Sequence, residues 1–150
     1  MGGDDVSYGS KPKDAPNWRE KMLSEVSLDP TRTHFMGKLP YETYKTVLQV
    51  SAAHVYLTYP FVLSWSMLEA QASGCVIVGS KTPPVEEIIA HGVNGYLADF
   101  HAPSQIASKT IATIENQWQS QAISLKSIYT TQQDHDLVKG LKSYFDAIKN

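Results

Sequence analysis

Residues 61–69 read FVLSWSMLE. Two serines flank a tryptophan, and one carboxylate, Glu69, closes an otherwise apolar run. The pattern predicts a helix over 64–73, with Ser64 as N-cap and Gly74 as its stop. The first amides of a helix lack intrahelical partners and sit at the positive end of its dipole. Ser64, Trp65 and Ser66 therefore offer backbone N–H groups, plus two hydroxyls, to an anionic group. Glu69 stands about one and a half turns further in. Its simplest alternative role is that of a surface glutamate favoured by the dipole alone. The five histidines (34, 54, 91, 101 and 135) show no metal-ligand spacing. Asp134, His135 and Asp136 look like a helix N-cap cluster rather than a metal site.

These residues must be held by regular elements, and the chain alternates between two periodicities. Residues 1–16 read as a loop rich in turn formers. A helix from Asn17 carries Trp18, Met22, Leu23 and Val26 on one side and ends at Asp29-Pro30. A short strand covers 33–37, a helix 41–53, a strand 54–59, and then the helix that holds Glu69. Cys75–Gly79 is an apolar run of the kind buried on both faces of a sheet. A short helix follows Pro83-Pro84, and 94–99 is a further strand. Three helices close the chain. The first, 104–118, places Ala107, Ile111, Ile114 and Trp118 on one stripe. The second covers 121–129. The third, from Asp134, places Leu137, Leu141, Tyr144, Phe145 and Ile148 on one face.

Alternating strands and helices give right-handed βαβ units and a doubly wound, Rossmann-like α/β domain with a parallel sheet. Ligands in such domains sit at the carboxyl ends of the strands. Two loops lie there, 60–64 and 80–84, so the FVLSWSMLE stretch falls where a ligand belongs. MGGDD reads as a loop leaving a strand. The reading is therefore of a partial domain, truncated at its N-terminus, with strands and helices upstream in a longer parent.

Composition narrows the partners. The chain has 150 residues, 42% hydrophobic and 19% charged, with a formal net charge of −2. Nothing there points to nucleic acid. The one cysteine, Cys75, allows no internal disulfide. No apolar run approaches the roughly 20 residues of a transmembrane segment. The first ten residues lack the basic and apolar regions of a signal peptide. The expected location is the cytoplasm, or peripherally at the membrane through a missing domain.

Four phrases carry a family resemblance. Phe35, Gly37, Leu39 and Pro40 match F-x-G-x-L/V-P. Glu69-Ala70, Ala72, Gly74, Val76 and Val78 match the end of P-S-x-x-E-G-F-G-L-x-x-x-E-A-M-A-x-G-x-P-V-V-A. Thr82, Val85 and Glu87 match D-T-G-G-x-P-E. His91-Gly92, Asn94-Gly95 and Leu97 match H-G-x-N-G-x-L-V. In order and spacing the chain resembles the C-terminal, donor-binding half of the GT-B-fold retaining glycosyltransferases called group 1 or family four.

The resemblance implies a nucleotide-sugar donor and a sugar or lipid-linked acceptor. It implies an N-terminal acceptor domain that is missing here. No cofactor and no metal is expected. It implies that Glu69 accepts hydrogen bonds from the ribose hydroxyls, for which a carboxylate with two acceptor oxygens is suited. The start of that helix would face the diphosphate. Lys38 and Leu39 would lie near the base, and Gly3, with Gly2, in a glycine loop approaching the donor; each is equally readable as a plain turn. The family's paired acids are separated by seven residues, and the first falls on Phe61. That residue is either an apolar wall of the sugar pocket or a loop aromatic packed on the core. The family's G-F-G is Val62, Leu63 and Ser64, and its D-T-G-G is Lys81, Thr82, Pro83 and Pro84. The catalytic residues stay unassigned. The isolated chain is expected to be inactive, since the family's basic pair for the leaving diphosphate would lie upstream of Met1. A binding-only GT-B module and a nucleotide-sugar epimerase of the same architecture are the alternatives.

Overall fold

A computed structural model describes residues 2–4, 9–59 and 62–134. The chain divides into two compact units, residues 1–44 and 45–150.

The first unit is built round α1 (Trp18–Glu25). Asn17 caps it: its Oδ1 accepts from Glu20 N–H at 2.9 Å, and its Nδ2 donates to Glu20 Oε1 at 3.1 Å. Lys21 holds Asp14 at 2.7 Å, which keeps the Asp14 carboxyl below its usual range. Arg19 bonds Asp4 at 3.1 Å and lies 4.0 Å over the ring of Phe35. The helix ends at Val26, short of Asp29. Asp29 instead makes a turn, accepting from Thr31 N–H and its hydroxyl.

The expected strand at 33–37 is not formed. Phe35 and Met36 are exposed, and the segment makes no ladder with the described residues. A single backbone bond ties Gly37 C=O to Gly2 N–H at 2.9 Å. Gly37 has φ +61, which turns the chain out of extended geometry. Apolar β-formers give a strand only where a neighbouring backbone offers a ladder.

The second unit is a three-stranded parallel sheet in the order β1 (Ala53–Tyr56), β2 (Val76–Ser80), β3 (Tyr96–Ala98). Ala53 pairs with Val76, Tyr56 with Gly79, and Val78 with Tyr96. Every residue of β2 is buried. Side chains alternate along a strand, so both faces must be covered. On one face Val76, Val78 and Tyr96 cluster with Ile123. On the other, a Cβ at Gly79 would stand 2.8 Å from Val85 Cγ1, and one at Gly95 3.1 Å from Ile89. The chain thus crosses from β1 through α3 (Trp65–Ala72) to β2, and from β2 through α4 (Pro83–Glu86) to β3. Helix α2 (Tyr41–Val50) straddles the unit boundary and buries Leu48. The Leu48 carbonyl accepts the buried Cys75 thiol at 2.9 Å, and burial pushes that thiol up to about 11.

The tail helices depart from the sequence pattern. α5 (Pro103–Glu115) and α6 (Gln117–Asp134) meet at Asn116, whose side chain accepts from Gln119 N–H at 3.3 Å. That local cap splits the predicted 104–118 helix and starts a single helix through 121–129. The predicted stripe is exposed: Ile111, Ile114 and Trp118 are 52%, 54% and 86% exposed. Thr113 is buried instead. Its hydroxyl donates to Lys109 C=O at 2.9 Å, so it enters the core without an unpaired group. The predicted helix face from Leu137 to Ile148, and His135, lie outside the described residues.

Candidate functional site

The carboxyl ends of β1 and β2 hold the candidate site of the second unit. β1 ends at Tyr56, and the chain returns at Ser64, the N-cap of α3, with φ −80 and ψ 138. The Ser64 hydroxyl accepts from Ser66 N–H at 3.3 Å and pairs with the Ser66 hydroxyl at 2.9 Å. The Ser64 N–H donates to the Tyr56 hydroxyl at 2.9 Å. These bonds correct the expectation that all three leading amides stand ready for a ligand: those of Ser64 and Ser66 are engaged within the protein. No partner for the Trp65 N–H is found among the described residues. The weak Ser66 contact, near the long limit for a hydrogen bond, is the one a stronger acceptor can replace.

Glu69 lies on the same helix, half-buried, with Met67, Ala70 and Gln71 forming its buried side. Trp65 and Val62 are 77% and 68% exposed, and Leu63 is half-buried. Ser64, Trp65, Ser66 and Glu69 are therefore brought together on one short helix. Phe61 lies outside the described residues.

The other predicted residues fall in the first unit. Gly3 and Lys38 meet there: a Cβ on Gly3 would stand 2.6 Å from Lys38 Cε, so any larger residue would push the end of that flexible side chain aside. Leu39 follows, half-buried. Gly3 also lines a cleft of about 450 Å³ with Arg19, Met22, Phe35 and Gly37. Arg19 was not singled out by sequence, because a guanidinium in a helix gives no spacing signal of its own.

Sequence reasoning also missed Tyr56 and Ser80. Ser80 is fully buried at the end of β2. Its hydroxyl accepts from Thr58 N–H and lies 3.1 Å from Thr58 C=O and 3.3 Å from the Thr82 hydroxyl. A tyrosine ending a strand and a serine ending another are ordinary in type; only the register Tyr56–Gly79 sets them side by side. The His91–Gly95 turn is held together by its own side chains. Asn94 Oδ1 accepts from Ala90 N–H at 2.8 Å, and its Nδ2 donates to Ile88 C=O. His91 Nδ1 accepts from Leu97 N–H at 2.9 Å. Among the described residues no group of three or more His, Cys, Asp or Glu is placed to hold a metal ion, and no helix is long and apolar enough to cross a membrane.

Residues 17–128 match the family of glycosyl transferases group 1. An uncharacterized glycosyltransferase of Methanocaldococcus jannaschii is 31% identical over 84 residues, 55% of this chain and 21% of that protein. Anabaena HepE, solved in complex with UDP-glucose, superposes with a TM-score of 0.75 at 18% identity, over 87% of this chain and 35% of its own. Sucrose-phosphate synthase from Thermosynechococcus elongatus gives 0.70 at 17% identity, over 94% of this chain and 37% of its own. The C-terminal domain of a group 1 glycosyl transferase from Francisella tularensis gives 0.57 at 20% identity, over 76% of this chain and 58% of that domain. The chain thus spans about a fifth to a third of the full-length relatives it matches. The fold is the Rossmann-like α/β fold of the GT-B glycosyltransferases.

Proposed function

We infer, from its membership of the group 1 glycosyl transferases, the family to which the chain belongs, that it forms the donor-binding part of a sugar transferase. The donor is a nucleotide sugar, and transfer to a sugar or lipid-linked acceptor proceeds with retention. The observation that carries this reading is the grouping of Glu69 with Ser64, Trp65 and Ser66 on α3, beyond the carboxyl end of β1. Support comes from the fold shared with a protein solved with UDP-glucose.

In this reading Glu69 accepts the two ribose hydroxyls of the donor. The Trp65 amide and the Ser64 and Ser66 hydroxyls donate to the diphosphate, and the dipole of α3 favours its charge. As the bond from the anomeric carbon to the diphosphate oxygen breaks, the electron pair stays on the diphosphate. These donors hold the added charge while the acceptor hydroxyl oxygen bonds the same face of the sugar and its proton passes to the leaving diphosphate. Acceptor recognition, further cations and a cytoplasmic setting belong to the rest of the protein in this proposal, and no metal is invoked.

The test is calorimetry of nucleotide sugars, UDP-glucose among them, on the full-length protein and its Glu69→Ala variant. A hydrogen bond to a charged group contributes about 1.5–3 kcal/mol, so affinity should fall about ten- to a hundredfold. An unchanged affinity removes Glu69 from the site.

A further inference from the structure

We propose that Tyr56 and Ser80 are positioning residues that fix the donor-binding end of the sheet before any ligand arrives. The inference rests on the donor-site reading above and adds to it two residues outside the α3 group.

Each side chain ends a strand and holds the connecting segment beyond it. Tyr56 is the last residue of β1 and 8% exposed. Its hydroxyl accepts the Ser64 N–H at 2.9 Å. That bond fixes the residue whose own hydroxyl caps α3. Ser80 ends β2 with no exposure. Its Oγ accepts Thr58 N–H at 3.1 Å and reaches Thr58 C=O at 3.1 Å and Thr82 Oγ1 at 3.3 Å. A hydroxyl has one proton and two lone pairs. When Ser80 donates to the Thr58 carbonyl, it accepts from both the Thr58 amide and the Thr82 hydroxyl. One oxygen thereby joins the chain leaving β1 to the N-cap of α4, which is Thr82.

Tyr56 pairs in register with Gly79, the neighbour of Ser80. The two hydroxyls therefore act at one end of adjacent strands. A side chain that only filled the core at either place needs no hydroxyl. These hydroxyls bond backbone groups of the connecting segments, which the strand ladder leaves without partners. Segments held this way lose less freedom on binding, and preorganisation of that kind strengthens a complex without new ligand contacts.

Tyr56→Phe keeps the ring and deletes only the oxygen; Ser80→Ala deletes the second hydroxyl. Both are made in the full-length protein. Amide hydrogen exchange is read without ligand, and calorimetry is run with UDP, GDP and ADP, each against its own nucleoside. In Tyr56→Phe the Ser64 amide should exchange faster while the β2 amides do not. Affinity for the tightest diphosphate should drop about two- to tenfold, with that of its nucleoside unchanged. Ser80→Ala should give the same split, with faster exchange at Thr58. Equal diphosphate affinity in wild type and Tyr56→Phe overturns the proposal. So does an equal loss for nucleoside and diphosphate, which marks general loosening. If the wild type binds none of the three diphosphates, the donor reading fails and the positioning role with it, while exchange in the free protein still reports whether the pins exist.

Discussion

Gln71 is a polar side chain buried without support. It is fully buried on the inner side of α3, and neither its Nε2 nor its Oε1 has a hydrogen-bond partner among the described residues. Ser127, on α6, is equally buried, and its hydroxyl also has no partner among the described residues. An unsatisfied buried polar group costs about 1–3 kcal/mol, whereas an apolar group of similar shape there costs nothing of the kind. Methionine is unbranched, close to glutamine in length and able to adapt to an existing space. Gln71→Met should therefore stabilise the protein by about 2 kcal/mol. For a chain of this size that raises Tm by about 4–8 °C. Thermal and urea unfolding of the purified protein measure it, with Gln71→Ala as a control. The control removes the amide but leaves a cavity, so its gain should be smaller or reversed. A lower Tm for Gln71→Met would refute the reasoning, because it would mean that the amide has a partner in solution.

Two further outcomes come from the sheet. Gly79→Ala should destabilise by about 1–3 kcal/mol, because its Cβ would stand 2.8 Å from Val85, which is fully buried and has no room to give; unchanged unfolding in urea would contradict that contact. His54 is held below its ordinary value of 6.5 by burial. The unfolded chain thus takes up the proton first, and stability present above about pH 6.5 should decline as pH falls towards the folded-state value; His54→Gln should flatten that part of the unfolding-against-pH curve.

Where a pattern fixed both the period and the covering partner, it was legible. β2 read as a doubly buried strand because five apolar or small residues in a row fit nothing else, and every one is buried. Ser64 and Gly74 bounded α3 because a hydroxyl cap and a residue at φ +89 have local causes. The α5 stripe shows the complementary limit. Helical spacing shows that Ala107, Ile111 and Ile114 share a side, but not that this side meets the sheet. Threonines that bond their own helix carbonyls can be buried at little cost, and here Thr113 is. The segment 33–37 failed because strand-forming residues do not supply a neighbouring backbone.

The site divides along the same line. Its charged and capping members, Glu69, Ser64 and Ser66, were legible because their chemistry is stated by residue type and by position on one helix. Tyr56 and Ser80 were not, since each acts through a hydroxyl reaching another segment: Tyr56 spans eight positions to Ser64, and Ser80 spans twenty-two to Thr58. Only the parallel register of β1 and β2 brings those oxygens to one end of the sheet. The same bonds explain why the helix start cannot be read from its dipole alone. Of its first three amides, two already serve the protein, and the Ser66 amide is held at 3.3 Å by a hydroxyl that a phosphate oxygen can outcompete. In the donor-site reading proposed above, a helix start arranged like this would keep its cap when empty and exchange one neutral bond for a charge-assisted one when occupied. In that reading the fixed part of the candidate site lies in the strand ends, and the exchangeable part in the Ser64–Ser66 cap.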